Sequence, residues 1–136
     1  MRSLHDASGY RCLRAAIALA TVLMTFVLSM HPAMAAPPLP IRSGQYVFQH
    51  HYAEQPSMAS IQLVATITGH HIVLINHSKS DVFPLGVIAE GELMWHAPTR
   101  QWIIVETDAD RYARDVGGCS GGPDVIDLVK KIYWTC

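Results

Sequence analysis

The sequence predicts an all-β fold, a small antiparallel meander that forms a barrel or sandwich of about six strands after an N-terminal signal peptide. Three observations support this prediction. From residue 44 onward, apolar and polar residues alternate with the two-residue period of half-buried strands. Short segments rich in glycine, proline and polar residues separate the alternating stretches. The chain that follows the leader has about 100 residues, the size of one compact domain.

The start of the chain has the pattern of a secretory signal peptide. A basic beginning is followed by an uncharged apolar run, residues 15–30, and by Ala33 and Ala35 at the positions that a signal peptidase reads. The run is shorter than the roughly 20 residues that a spanning helix needs, so an uncleaved membrane anchor is the second interpretation. We predict a signal peptide at 1–35, a periplasmic or secreted mature protein, and no stable membrane span once the leader is removed.

The mature chain is mildly acidic. The leader holds three arginines and one aspartate, so its removal changes the formal charge from −1 to −3. Such a charge provides no basic surface for a nucleic acid, and we expect no nucleic-acid partner.

The alternation of apolar and polar residues predicts the first strands and the face that each strand turns toward the core. After an extended proline-rich linker at 36–43, a single domain at 44–136 begins with two strands that place every second residue on the core face. A tight hairpin at Gly69 and a third, apolar strand follow. In the fourth strand, one face is apolar and the other carries the glutamates. The residues predicted to face the core are Tyr46, Phe48, His50, Tyr52, Ile61, Leu63, Ala65, Ile67, Val87, Ala89, Leu93 and Trp95.

A long polar loop and a closing strand are predicted for the rest of the chain. The loop has room for one helical turn at 109–115 before its glycines begin. The segment 125–135 combines a helical spacing of apolar residues with the strongly β-forming "KIYWTC". We interpret it as one strand, bent near Lys130, and a partly helical segment is the alternative.

Two cysteines, Cys119 and Cys136, remain in the mature chain. An even pair in an exported protein predicts a disulfide. The bond would close a loop of about 18 residues, for which the chain-entropy model gives roughly 3 kcal/mol. It would also fasten the C-terminal residue, which frays unless something holds it.

The stretch "VGGCSGGPDV", residues 116–125, resembles three enzyme motifs. It is similar to the "GDSGGP" of trypsin-like proteases, fits the G-x-S-x-G nucleophile elbow, and resembles a glycine-rich segment of papain-like proteases. However, Cys119 replaces the aspartate of the first motif, no base-bearing histidine motif accompanies it, and a proline follows the glycines. We interpret the stretch as a flexible turn around a half-cystine. A small hydrolase with Ser120 as its nucleophile is the alternative.

Six histidines of the mature chain suggest a second alternative, a metal-binding protein, because imidazole suits zinc and copper. Adjacent residues of a strand face opposite ways, so a neighbouring pair lends only one ring to a shared metal. A site would have to be assembled across strands, from His50 or His51 with His96. We expect no metal and no other cofactor.

Glu90 and Glu92 lie two residues apart and therefore on one face of a strand. Paired carboxylates perform general acid–base chemistry, so this pair is the other candidate centre of a small hydrolase. Carboxylates also solvate the outer face of a sheet, and we predict that role and no catalytic residue.

Binding rather than catalysis is the function that we predict from these residues. In size and layout the domain resembles lipocalin-like small barrels and periplasmic lysozyme inhibitors. This resemblance implies a binding or inhibitor-type module whose partner is a protein or a small apolar ligand of the cell envelope. We expect the aromatic residues of the strands to fill the core, and an apolar ligand pocket in the barrel mouth is the alternative.

Overall fold

A computed structural model describes residues 35–136, so the predicted signal peptide lies outside the described residues except for Ala35. One compact unit covers Ala36–Cys136. Within the described part of the chain, no helix is long and apolar enough to cross a membrane. The elements are β1 (Gly44–Tyr52), β2 (Ala59–Thr68), β3 (His71–Asn76), β4 (Gly86–His96), β5 (Gln101–Val105), a 3₁₀ helix (Asp108–Tyr112), β6 (Val125–Asp127) and β7 (Ile132–Thr135).

The strands close into a barrel in chain order, which confirms the all-β prediction and selects the barrel over the sandwich. Each strand is antiparallel to the next along the chain. The closing pair, β1 and β7, is parallel, with Gln49 opposite Ile132 and Tyr52 opposite Thr135. Strand direction alternates along the chain, so an odd number of strands leaves the first and last pointing the same way.

The seventh strand comes from the segment that we interpreted as a single bent strand. Residues 125–135 instead form a hairpin, in which β6 and β7 pair and Ile126 lies opposite Tyr133. The turn holds Leu128, which is buried in the core, and Lys131, which has a positive φ of 58°. An apolar residue that points from a turn into the barrel looks like a strand residue in the sequence, which is why the turn was missed.

The barrel interior is filled by the alternating residues of the first strands, as predicted. Phe48 of β1 and Leu63 of β2 are fully buried, and their neighbour Gln62 is exposed. Tyr46 and Trp95 are half-buried and pack against the same cluster. The buried members of this cluster are Phe48, Leu63, Ala65, Ile67, Ile72, Leu74, Ala89, Leu93, Trp102, Ile104, Ile126, Leu128 and Tyr133.

Val87 is the residue of β4 for which the predicted face is wrong. It is 56% exposed, because β4 has a bulge at this point. Ala89 pairs with Leu74 and Val87 pairs with Ile75, so Ile88 is an extra residue. Ile88 packs against the core in place of Val87.

A smaller apolar cluster lies apart from the main one. Ile103, Val105 and Val125 are its buried members, and Val116 of the loop before β6 packs against it together with Met94 and Trp134. The helical turn predicted at 109–115 occurs in this loop as the 3₁₀ helix, which ends earlier, at Tyr112.

The strand directions give the barrel two different ends. At the hairpin end lie the turns 69–70, 97–100 and 128–131 and the proline-rich segment 36–43, whose Leu39 and Ile41 pack against the core. At the opposite end, the mouth, lie the loops 53–58, 77–85 and 106–124 and the C-terminal Cys136.

Candidate ligand site at the barrel mouth

A cleft of about 550 Å³ opens at the mouth. Its volume falls within the range of small-molecule sites, which is about 300–1,000 Å³. Two loops of the mouth and the ends of two strands form its walls. The lining residues are Phe83, Pro84, Val87, Ile88, Gly118, Cys119, Gly121, Gly122, Asp124, Tyr133, Thr135 and Cys136.

One wall of the cleft is apolar and comes from the loop before β4 and from the bulge. Phe83 packs against the core, and the ring of Phe83 meets that of His50 edge to face with centroids 4.8 Å apart. Val87 is turned outward by the bulge and is 56% exposed. An exposed apolar side chain in the wall of a cleft can be covered by a ligand.

The other wall carries a hydrogen-bonded pair, Asp124 and Tyr133. The Tyr133 hydroxyl donates to Oδ2 of Asp124, and the backbone carbonyl of Asp124 accepts from the N–H of Ile104 at 3.0 Å. Burial raises the pKa of Asp124, and the hydrogen bond from Tyr133 opposes that rise only in part. Burial and the nearby Asp124 charge raise the pKa of Tyr133, so the phenol remains the donor. The carboxylate is therefore poorly solvated, and its second oxygen can accept from a ligand.

More carboxylates surround Asp124. A neighbouring cleft of about 190 Å³ shares Asp124 with the first cleft and is also lined by Glu106 and Asp110. Burial, then the charges of Asp124 and Asp110, raise the pKa of Glu106. Oδ2 of Asp110 accepts the N–H groups of Glu106 at 3.0 Å and Thr107 at 2.7 Å, which fixes this part of the loop. The polar side of the mouth is therefore acidic.

Behind the cleft lies His50, which is fully buried. Its Nε2 is 2.7 Å from Oγ1 of Thr135, a residue of the cleft wall. Its Nδ1 is buried and has no hydrogen-bond partner within residues 35–136. Burial, and secondarily the neighbouring His51, lower the pKa of His50, so the ring is neutral at neutral pH.

The predicted disulfide between Cys119 and Cys136 is present, with an S–S distance of 1.94 Å and a Cα–Cα distance of 4.7 Å. It joins residues 117–122, which we call the glycine loop, to the end of β7 and forms part of the cleft wall. The path of this loop requires a glycine at position 122. At Gly122, an added Cβ would lie 2.0 Å from the backbone oxygen of Asp115, so no larger residue fits without movement of the loop.

Ser120 is tied to the backbone of the same loop. Its hydroxyl donates to the carbonyl of Gly117 at 2.8 Å and accepts from the N–H of Gly122 at 3.2 Å. Within the described part of the chain, no histidine is hydrogen-bonded to it. The arrangement is that of a turn stabilised by a serine side chain.

The structure keeps the three candidate histidines apart. His50 lies inside the barrel, whereas the ring of His51 lies on the ring of Trp134, 5.3 Å between centroids, and its Nδ1 donates to the carbonyl of Pro56. His96 is held through both ring nitrogens, 2.8 Å from Oγ1 of Thr99 and 3.0 Å from the carbonyl oxygen of Ala113. Over residues 35–136, no three His, Cys, Asp or Glu side chains come together in a way that could hold a metal ion.

Glu90 and Glu92 make separate contacts on the outer wall, with His71 and with Arg111. Oε1 of Glu90 is 3.6 Å from Nε2 of His71, and Oε2 of Glu92 is 2.5 Å from Nη2 of Arg111. The hydrogen bond from Arg111 lowers the pKa of Glu92. Both carboxylates are well exposed, as the solvating role requires.

Sequence reasoning missed Phe83, Asp124 and Tyr133 as site residues. Asp124 looked like part of a polar loop, and Tyr133 was one residue of the segment that we interpreted as a single strand. Only the β6–β7 hairpin, which was not predicted, brings the Asp124 carboxylate to the Tyr133 hydroxyl. No protein-family model, curated protein or solved structure matches this chain.

Proposed function

We propose that the protein is an exported binding protein whose mouth takes up a small organic cation with an apolar body, such as an aromatic or aliphatic amine. The observation that carries this proposal is the two-sided cleft. It has an apolar wall at Phe83 and Val87 and a hydrogen-bonded, poorly solvated carboxylate, Asp124, on the other side.

The apolar wall supplies affinity. A ligand that covers Val87 and Ile88 removes their side chains from water, and complete burial of one such side chain contributes about 1.5–3 kcal/mol. Phe83 is fixed by its contacts with the core and with His50, so the wall is formed before the ligand arrives. A preformed site loses little conformational entropy on binding.

The charge of the mouth supplies selectivity. Its three loops hold more carboxylates than cations. A field of one sign over a cleft raises the local concentration of ligands of opposite charge. The carboxylates are Glu54, Asp81, Glu106, Asp108, Asp110, Asp115 and Asp124, and the cations are Lys79, Arg111 and Arg114.

Asp124 gives the cation a specific partner. Because burial raises the pKa of this carboxyl group, its charged form gains more from a nearby ammonium than a solvated carboxylate would. A hydrogen bond between charged partners is also stronger than a neutral one. Binding is therefore expected to weaken as the pH falls toward the raised pKa of Asp124.

The test is calorimetric titration of the exported protein with phenethylammonium and with the uncharged phenethyl alcohol. We expect the ammonium to bind more tightly than the alcohol at neutral pH. Asp124→Asn retains an acceptor for Tyr133 and removes the charge, and it should weaken ammonium binding at least tenfold, since a hydrogen bond to a charged group contributes about 1.5–3 kcal/mol.

Asp127→Asn is the matched control, because it makes the same change at the hairpin end. Val87→Ser should weaken the binding of both probes. Equal affinities for the ammonium and the alcohol, or an Asp124→Asn protein that binds as the unchanged protein does, would contradict the proposal.

A further inference from the structure

The hairpin end carries a charge opposite to that of the mouth. Of the seven lysines and arginines in residues 36–136, four lie in the turns and the N-terminal segment of this end: Arg42, Arg100, Lys130 and Lys131. No aspartate or glutamate lies in those segments. Asp127, at the end of β6, pairs with Lys130 at 3.8 Å, and this leaves a net positive end. Counted by connection, the hairpin end is therefore positive, although the net charge of the domain is negative.

An apolar residue stands at the tip of this positive end. Val129 is 73% exposed in the turn between β6 and β7, directly before Lys130. The turn is held in place because Oδ1 of Asp127 accepts the N–H groups of Val129 at 3.0 Å and Lys130 at 2.8 Å. Leu128 anchors the same turn in the core. Val129 is thus presented to solvent by a fixed backbone.

Aromatic residues and prolines lie beside the tip. A cleft of about 400 Å³ is lined by Val129 together with Trp95, Trp134, Pro37 and Pro38. Trp95 and Trp134 are each half-buried, with part of their surface in contact with water. Tryptophans that are apolar at one end and wet at the other are enriched where proteins meet the boundary between lipid and water.

We propose that the hairpin end docks on an anionic membrane surface, with Val129 entering the headgroup region and the mouth facing away from the lipid. The cations are attracted by lipid phosphates, and an exposed apolar tip gains by leaving water. A membrane fits better than a protein partner, because a single projecting valine with charges around it offers no broad apolar face.

The experiment is co-sedimentation of the exported protein with vesicles of phosphatidylcholine alone and of phosphatidylcholine mixed with phosphatidylglycerol. We expect binding to the mixed vesicles only, and we expect salt to weaken it, because salt screens exposed charges. Lys130→Gln should weaken binding about fivefold, the effect of one basic residue near an anionic surface. Val129→Ser should weaken binding by up to about tenfold through loss of apolar burial.

Lys79→Gln is the matched control, because it removes one exposed lysine from the mouth and should leave binding unchanged. Thermal melting of each variant verifies that the barrel is intact. Equal binding to both vesicle types, binding to neither, or a loss in Lys79→Gln as large as that in Lys130→Gln would overturn the proposal. Amine binding at the mouth is measured without vesicles, so this proposal and the proposed function succeed or fail separately.

Discussion

The two ends of the barrel differ in how their connections are fixed. At the hairpin end, turns of two to four residues join the strands, and the segment 36–43 covers the opening with Leu39 and Ile41. At the mouth, the loops are six to nineteen residues long and rely on a disulfide, a serine-stabilised turn and a hydrogen bond from His96 to the carbonyl of Ala113 to keep their shape. Short turns restrict the chain by themselves, whereas long loops must be held by added contacts. The hairpin end is thus fixed by its short turns, and the mouth, whose loops need added contacts, is the surface at which we propose that a ligand binds.

The largest expected effect on stability comes from a core substitution near the hairpin end. Trp102 is 9% exposed and packs edge to face on Trp95 near the hairpin end. Trp102→Ala should lower the free energy of unfolding by about 3–5 kcal/mol, the usual cost of deleting a buried tryptophan. Urea denaturation measures this loss. Phe83→Ala at the mouth, where the ring is half-buried, should cost less, and equal losses would contradict the division between the two ends.

The next largest effect is expected from removal of the disulfide, which tests whether the long loops of the mouth depend on added contacts. Replacing Cys119 and Cys136 together by serine should lower the free energy of unfolding by about 3 kcal/mol. The same loss should follow when reductant is added to the unchanged protein, and reductant should not affect the double variant. Because both cysteines line the cleft, amine binding should fall as well. Unchanged stability on reduction would show that other contacts hold the glycine loop.

Two neighbouring glycines, Gly121 and Gly122, test how rigid the glycine loop is. Gly121 has a φ of 75° and open space around it, so Gly121→Ala should cost only the strain of a left-handed backbone, about 1–2 kcal/mol. Gly122→Ala should cost more, because its Cβ meets the backbone of Asp115. Thermal unfolding of the two variants compares these costs. The reverse order would mean that the loop moves easily.

The smallest expected effect is a change in pH dependence. Burial lowers the pKa of His50 below its ordinary value of 6.5, so the unfolded chain binds more protons than the folded one. This contribution to stability is complete above pH 6.5 and is lost as the pH falls through the folded pKa. His50→Phe should flatten the dependence of unfolding free energy on pH in that range, with His77→Gln as the control variant. An unchanged slope in His50→Phe would exclude His50 as its source.

Much of the barrel could be predicted from the sequence, because burial on one face of a strand forces a two-residue period. Phe48 and Leu63 follow this rule, and Cys119 and Cys136 were paired from their even number and the predicted compartment alone. Val87 was placed on the wrong face because a bulge depends on pairing between strands, which a single strand does not reveal. Asp124 and Tyr133 could not be recognised as a pair for a similar reason, since only the register of β6 on β7 brings them together.

The parallel pairing of β1 with β7 has a consequence for the timing of folding. The edge of β1 that does not pair with β2 is covered by residues 132–135, which lie about 80 residues later in the sequence, so the barrel cannot close before β7 has formed. Contacts between distant parts of a chain also form slowly, because a long loop must close first. Deletion of residues 132–136 would remove the disulfide and the closing strand together. Until β7 has paired, the edge of β1 remains available to other strands.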